Sequence, residues 1–172
     1  MRPRTVGRHA LLAGVLAVVW SCADRSPLGV PVSEPSAASL ELLGGLLQCT
    51  PLPADSVTQT IGPWGGTIEV GPHRLWVPAG ALSAPVSITA VAPSDTVNQV
   101  RFTPEGLVFE SDAWLTMSYA NCGLLSALIP KQIVHSTPDL LEILEILQSF
   151  DNSFTRRVTG RLEHFSTYAV AW

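Results

Sequence analysis

Few side chains in this sequence are spaced for catalysis. His73, His135 and His164 stand apart from one another, with no HxH or HxxxH spacing that would aim two imidazoles at one metal. Glu105, Glu110 and Asp112 could offer oxygens to calcium, but the EF-hand spacing is absent and acids in turn-like segments are ordinarily solvated. No GxSxG elbow, P-loop or GxGxxG follows a strand-like run, and Gly62–Gly66 resembles a phosphate loop only in its glycine count. A dispersed Ser/His/Asp triad would leave no local pattern. Trp64, Trp76, Trp114 and Trp172 could line a ligand surface, as in sugar-binding sandwiches; such residues more often fill a core or cover sheet edges. The expectation is a non-enzymatic protein with no cofactor and no metal.

The N-terminus carries an address. Arg2, Arg4 and Arg8 precede the apolar run Ala10–Trp20, whose 11 residues fall well short of the roughly 20 that span a bilayer. That order predicts an export signal over residues 1–21, and the separated arginines do not suit a twin-arginine signal. Val19-Trp20-Ser21-Cys22 resembles the bacterial lipobox, with Trp20 where a small residue is usual, and predicts lipid attachment at Cys22. Ordinary cleavage nearby would leave Cys22 a plain thiol. Ala23–Ser39, rich in Ala, Ser and Pro, has the composition of a flexible tether. Ala23 is not acidic, which favours the outer membrane of a cell envelope over inner-membrane retention.

Assigning Cys22 to lipid leaves Cys49 and Cys122, in a chain whose signal implies an oxidising compartment. A Cys49–Cys122 disulfide would clip the leading segment onto the folded domain; two unrelated buried thiols are the alternative. Export also changes the charge. The 10 basic residues lose Arg2, Arg4 and Arg8, leaving seven against 14 acids and a formal charge of −7. An acidic domain without a basic stripe is a poor nucleic-acid binder, so no nucleic-acid partner is expected. Apolar content of 47% with only 14% charged residues argues for a packed core.

The elements that would position these groups read as strands. Thr67–Val70 and Arg74–Val77 flank Gly71-Pro72 and predict a hairpin. Val86–Val91, Gln99–Phe102, Leu107–Phe109, Trp114–Tyr119 and Lys131–His135 follow, with Glu110-Ser111-Asp112 expected as a turn. Leu140–Leu147 fits a helical face as well as a strand. The turn cluster Asp151-Asn152-Ser153 favours a strand paired in a hairpin with Phe154–Val158. Tyr168–Trp172 would close the domain. Leu40–Gln48, broken by Gly44-Gly45, predicts a short packing segment that Cys49 anchors. Turn signals at this spacing predict an all-β, antiparallel β-sandwich over residues 50–172, after the signal and a lipid-anchored tether over 22–49.

Gly65-Gly66, the strand after it, and Leu75-Trp76-Val77-Pro78-Ala79-Gly80-Ala81-Leu82 resemble the ZU-five domain, a β-sandwich shared by ankyrins, netrin receptors and zonula occludens proteins. Pro104, Gly106 and Phe109 match that family's later turn, with Thr103 in place of its first glycine. The likeness covers about residues 58 to 119. It implies a module acting by protein contact or as structure. Some relatives cut their own backbone within His-Phe-Ser, and His164-Phe165-Ser166 occurs here. The resemblance would make Ser166 the nucleophile on the Phe165 carbonyl and His164 the base, freeing residues 166–172. The simpler expectation is that Phe165 packs inward while its neighbours face out.

Taken together, the sequence predicts an exported cell-envelope lipoprotein, held to the membrane by an N-terminal lipid. Its sandwich would serve as a structural or interaction module for an envelope protein or a cell-wall component.

Overall fold

The computed structural model describes residues 45–123 and 128–172. The expected signal segment over residues 1–21, the expected lipid-attachment residue Cys22 and the expected tether Ala23–Ser39 lie outside them. The described residues contain no helix, and eleven strands form two antiparallel sheets packed face to face. The strands are β1 (Asp55–Ile61), β2 (Gly66–Val70), β3 (His73–Val77), β4 (Val86–Ala92), β5 (Gln99–Thr103) and β6 (Val108–Ser118). After them come β7 (Gln132–Ser136), β8 (Ile143–Ile146), β9 (Ser149–Asn152), β10 (Arg157–His164) and β11 (Thr167–Ala171). One sheet runs β1-β4-β5-β11-β7-β8 and the other β2-β3-β6-β10-β9. The expected β-sandwich is the fold.

Alternation explains the layers. In β3, His73, Leu75 and Val77 are buried while Arg74 and Trp76 face out; β6 buries Ala113, Leu115 and Met117 and exposes Trp114. A period of two puts one side of each strand into the core. Between the sheets lie Ile68, Leu75, Ile88, Phe102, Leu115, Ile133, Phe165 and Tyr168 among the largest fully buried side chains.

The β2–β3 hairpin forms as expected, with Thr67 opposite Trp76 and Val70 opposite His73. Gly65, at φ +74°, enters β2 in the left-handed region. A Cβ there would lie 2.3 Å from the Val77 carbonyl oxygen, so the turn requires glycine.

Two expectations are corrected. Leu107–Phe109 and Trp114–Tyr119 are not separate strands, because β6 runs continuously through Glu110-Ser111-Asp112. Against β10, the register jumps from Leu162 opposite Ala113 to His164 opposite Val108, so β6 carries surplus residues there and bulges. The turn-forming residues mark that bulge. The second correction concerns Leu140–Leu147 and its hairpin. Its middle is a strand, β8, but β8 pairs with β7; the hairpin joins β9 to β10 through the turn 153–156, which includes Phe154. The chain changes sheets at Leu147-Gln148, and buried Leu147 fills the crossing.

The segment before β1 packs on the sandwich. Leu46 and Leu47 are buried, and the Leu47 N–H donates to the Val170 carbonyl at 2.9 Å. Cys49 and Cys122 form a disulfide. Beside it, Asn98 Nδ2 donates to Asn121 Oδ1 at 2.7 Å while Asn121 Nδ2 donates back to Asn98 Oδ1 at 3.0 Å. Asn121 also donates to the Thr50 carbonyl, so side-chain amides and the disulfide hold the same junction.

Candidate functional site

The outward faces of β2, β3, β6, β10 and β9 carry two rows of side chains, set by strand register. In one row Thr67 lies opposite Trp76, Trp76 opposite Trp114, and Trp114 opposite Arg161. In the next, Glu69 faces Arg74, Arg74 faces Thr116, Thr116 faces Thr159, and Thr159 faces Phe150. Directly opposed residues on one face of an antiparallel pair have Cβ atoms about 5 Å apart, so the two indoles form one surface. Trp76 is 49% exposed and Trp114 40%. Together with the indoles, Thr67, Arg74, Thr116 and Thr159 line a shallow, open depression of about 500 Å³. Its polar groups are organised: the Thr116 and Thr159 hydroxyls lie 2.9 Å apart, and Arg74 pairs with Glu69 at 3.6 Å.

Two of the four tryptophans singled out in the sequence therefore come together. Trp64 is exposed in the turn between β1 and β2, and Trp172 lies against the Lys131 ammonium, 4.9 Å from ring centroid to Nζ. Alternation alone places Trp76 beside Arg74 and Trp114 beside Thr116 on outward faces. What the sequence did not reveal is that β3 and β6, 38 residues apart at Trp76 and Trp114, are neighbours in register.

His164-Phe165-Ser166 lies where the chain leaves β10 in one sheet for β11 in the other. Phe165 is fully buried, stacked on Phe102 at 5.1 Å and edge-on to Phe109 at 4.9 Å. Its N–H donates to the Leu107 carbonyl, and its carbonyl accepts from the Gly106 N–H at 2.9 Å. Gly106 belongs to the turn that begins at Thr103, whose peptide to Pro104 is cis. Ser166 is buried too, so the motif is a corner and not a strand of strict alternation.

The imidazole at Ser166 is His135, from β7: Ser166 Oγ and His135 Nε2 are 2.7 Å apart. His164 points elsewhere, with Nδ1 3.4 Å from the Tyr168 hydroxyl and Nε2 4.0 Å from Glu145 of β8. The Tyr168 hydroxyl donates to the His164 carbonyl. The two histidine rings meet edge to face at 5.1 Å. Burial first, and the neighbouring His164 second, hold His135 below the ordinary imidazole range. Burial, followed by the charge of Glu145, raises the Tyr168 phenol above its ordinary value.

No family model matches the chain, and no curated protein matches it in sequence. The ZU-five resemblance thus rests on the residues quoted for it.

Among the described residues, the histidine and acid side chains that approach closely enough to share a metal are His135, Glu145 and His164, and not Glu105, Glu110 and Asp112. Asp112 instead pairs with Arg161 at 3.3 Å. Glu145 passed unnoticed in the sequence and His135 reads there as isolated, because strand pairing alone makes them neighbours of His164 and Ser166. The nearest sequence signal was the shared histidine identity of positions 135 and 164.

Proposed function

We propose that this chain is a tethered envelope module that binds a cell-wall carbohydrate on the outer face of the β2-β3-β6-β10-β9 sheet. The observation that carries this reading is the register pair Trp76 and Trp114, both exposed on an open, regular face. Pyranose rings present C–H groups that pack on indole faces, while their hydroxyls seek donors and acceptors at the edges. Thr67, Thr116, Thr159 and Arg74 supply those beside the rings. In this reading Cys22 holds the membrane and Ala23–Ser39 spaces the sandwich from it. The ZU-five resemblance also favours a role in contact over one in catalysis.

The test is titration of the full chain with peptidoglycan fragments, followed by tryptophan fluorescence. A saturable change, lost in Trp76→Ala and in Trp114→Ala, is expected. A flat response across the panel overturns the carbohydrate reading.

A second reading rests on the corner geometry. Ser166 Oγ would attack the Phe165 carbonyl carbon, with His135 accepting the hydroxyl proton and passing it to the departing Ser166 nitrogen. The amide C–N bond breaks, an ester forms, and water resolves it. The Gly106 N–H already donates to the reacting oxygen. Denaturing intact-mass measurement decides it: loss of residues 166–172, abolished by Ser166→Ala, supports the cut, and a single uncut chain overturns it.

A further inference from the structure

We propose that His135, Glu145 and His164 form a binding site for a divalent transition-metal ion, zinc being the ion their ligand set suits best. The site depends on neither reading above. It rests on convergence: one ligand atom from each residue lies within 4.8 Å of the other two. The three come from β7, β8 and β10, and so from both sheets.

Zinc bonds of about 2.0–2.2 Å to nitrogen and oxygen place tetrahedral ligands roughly 3.3–3.5 Å apart. His164 Nε2 and Glu145 Oε2 are already at 4.0 Å. The Glu145 side chain, 58% exposed, is free to turn toward His164, and the His135 nitrogen starts from at most 4.8 Å away and closes by rotation of its ring. Both rings are held from outside the cluster. Ser166 takes one nitrogen of His135, and the Tyr168 hydroxyl approaches Nδ1 of His164, leaving Nε2 toward Glu145. Outer partners of this kind fix ring orientation in metal sites.

Two imidazoles and one carboxylate match zinc and the neighbouring transition metals, whereas calcium and magnesium favour all-oxygen sets. Three protein ligands leave a coordination position for water or an exogenous group. Bound metal would also fasten β8, the edge strand of its sheet, to β10 of the other sheet.

The experiment is zinc titration of the full chain, purified without a histidine tag, against a chromophoric chelator. One equivalent is expected to bind, with Glu145→Gln and His164→Asn each lowering affinity at least ~10-fold, since even outer-partner losses cost that much. Because Glu145 is exposed on an edge strand, its variant keeps the fold, which circular dichroism verifies. Zinc should raise the unfolding temperature of the parent chain and leave that of Glu145→Gln unchanged. No stoichiometric binding, binding undiminished in both variants, or calcium binding of equal strength each overturns the site.

Discussion

Aromatic residues are used in opposite ways at two places in this sandwich. At the corner, Phe165 is sealed between the sheets against Phe102 and Phe109. On the open face, Trp76 and Trp114 stand in register with 49% and 40% of their surface in water. The corner is irregular backbone held by side-chain burial; the face is regular backbone holding side chains out. A ring in the first position contributes to stability, and a ring in the second is available for contact. The contrast teaches that register, more than residue type, decides which aromatic groups can meet a ligand.

The sharpest way to break that contrast is at the corner. Phe165→Ala should lower unfolding free energy by about 3–5 kcal/mol, the usual result of emptying a buried aromatic site, as measured by urea denaturation. The second test uses His73, whose ring is buried on the inner side of β3, behind the tryptophan face. Its Nδ1 accepts the Ser118 N–H at 3.2 Å. Burial first, then the nearby Arg157 charge, brings its pKa down to about 4. The neutral ring is favoured by folding, so this contribution is complete above about pH 6.5. It is lost as pH falls toward 4, where the unfolded chain takes up a proton that the folded one refuses. The loss approaches about 3 kcal/mol at its limit. Urea midpoints from pH 7 to 4 should fall more steeply for the parent than for His73→Asn. The smallest effect belongs to the open face: Trp76→Ala should change stability by only about 0.5 kcal/mol while removing the fluorescence response to glycan fragments.

Much of the fold was legible because burial has a period. Thr67–Val70, Arg74–Val77 and Val86–Val91 alternate cleanly, and the structure places strands there. β1 escaped notice because Asp55–Ile61 is a largely exposed edge strand, with polar residues on both faces and little apolar period to read. Glu110-Ser111-Asp112 misled for the opposite reason. Turn chemistry was present, but pairing with β10 at Val108 before it and at Ala113 after it kept the strand continuous and turned the surplus into a bulge. The candidate sites were less legible still. Trp76 and Trp114 could each be placed on an outward face, but their pairing is a fact of topology. His135 approaches Ser166 across 31 positions for the same reason.

The Cys49–Cys122 disulfide gives the domain a mechanical character. Tension arriving along the chain from before Cys49 would first meet, among the described residues, the buried side chains of Leu46 and Leu47 and the isolated bridges of Leu46 to Ala171 and Gln48 to Val97. Beyond them the load passes through sulfur to Cys122, just past β6, the middle strand of its sheet. The chain between the cysteines, which are 73 positions apart, is closed into a covalent loop that cannot be drawn out. At about 3.4 Å per extended residue, roughly 250 Å of contour length is withheld from the pull. A domain hung from such a point can be tugged without β1 to β6 being paid out like rope.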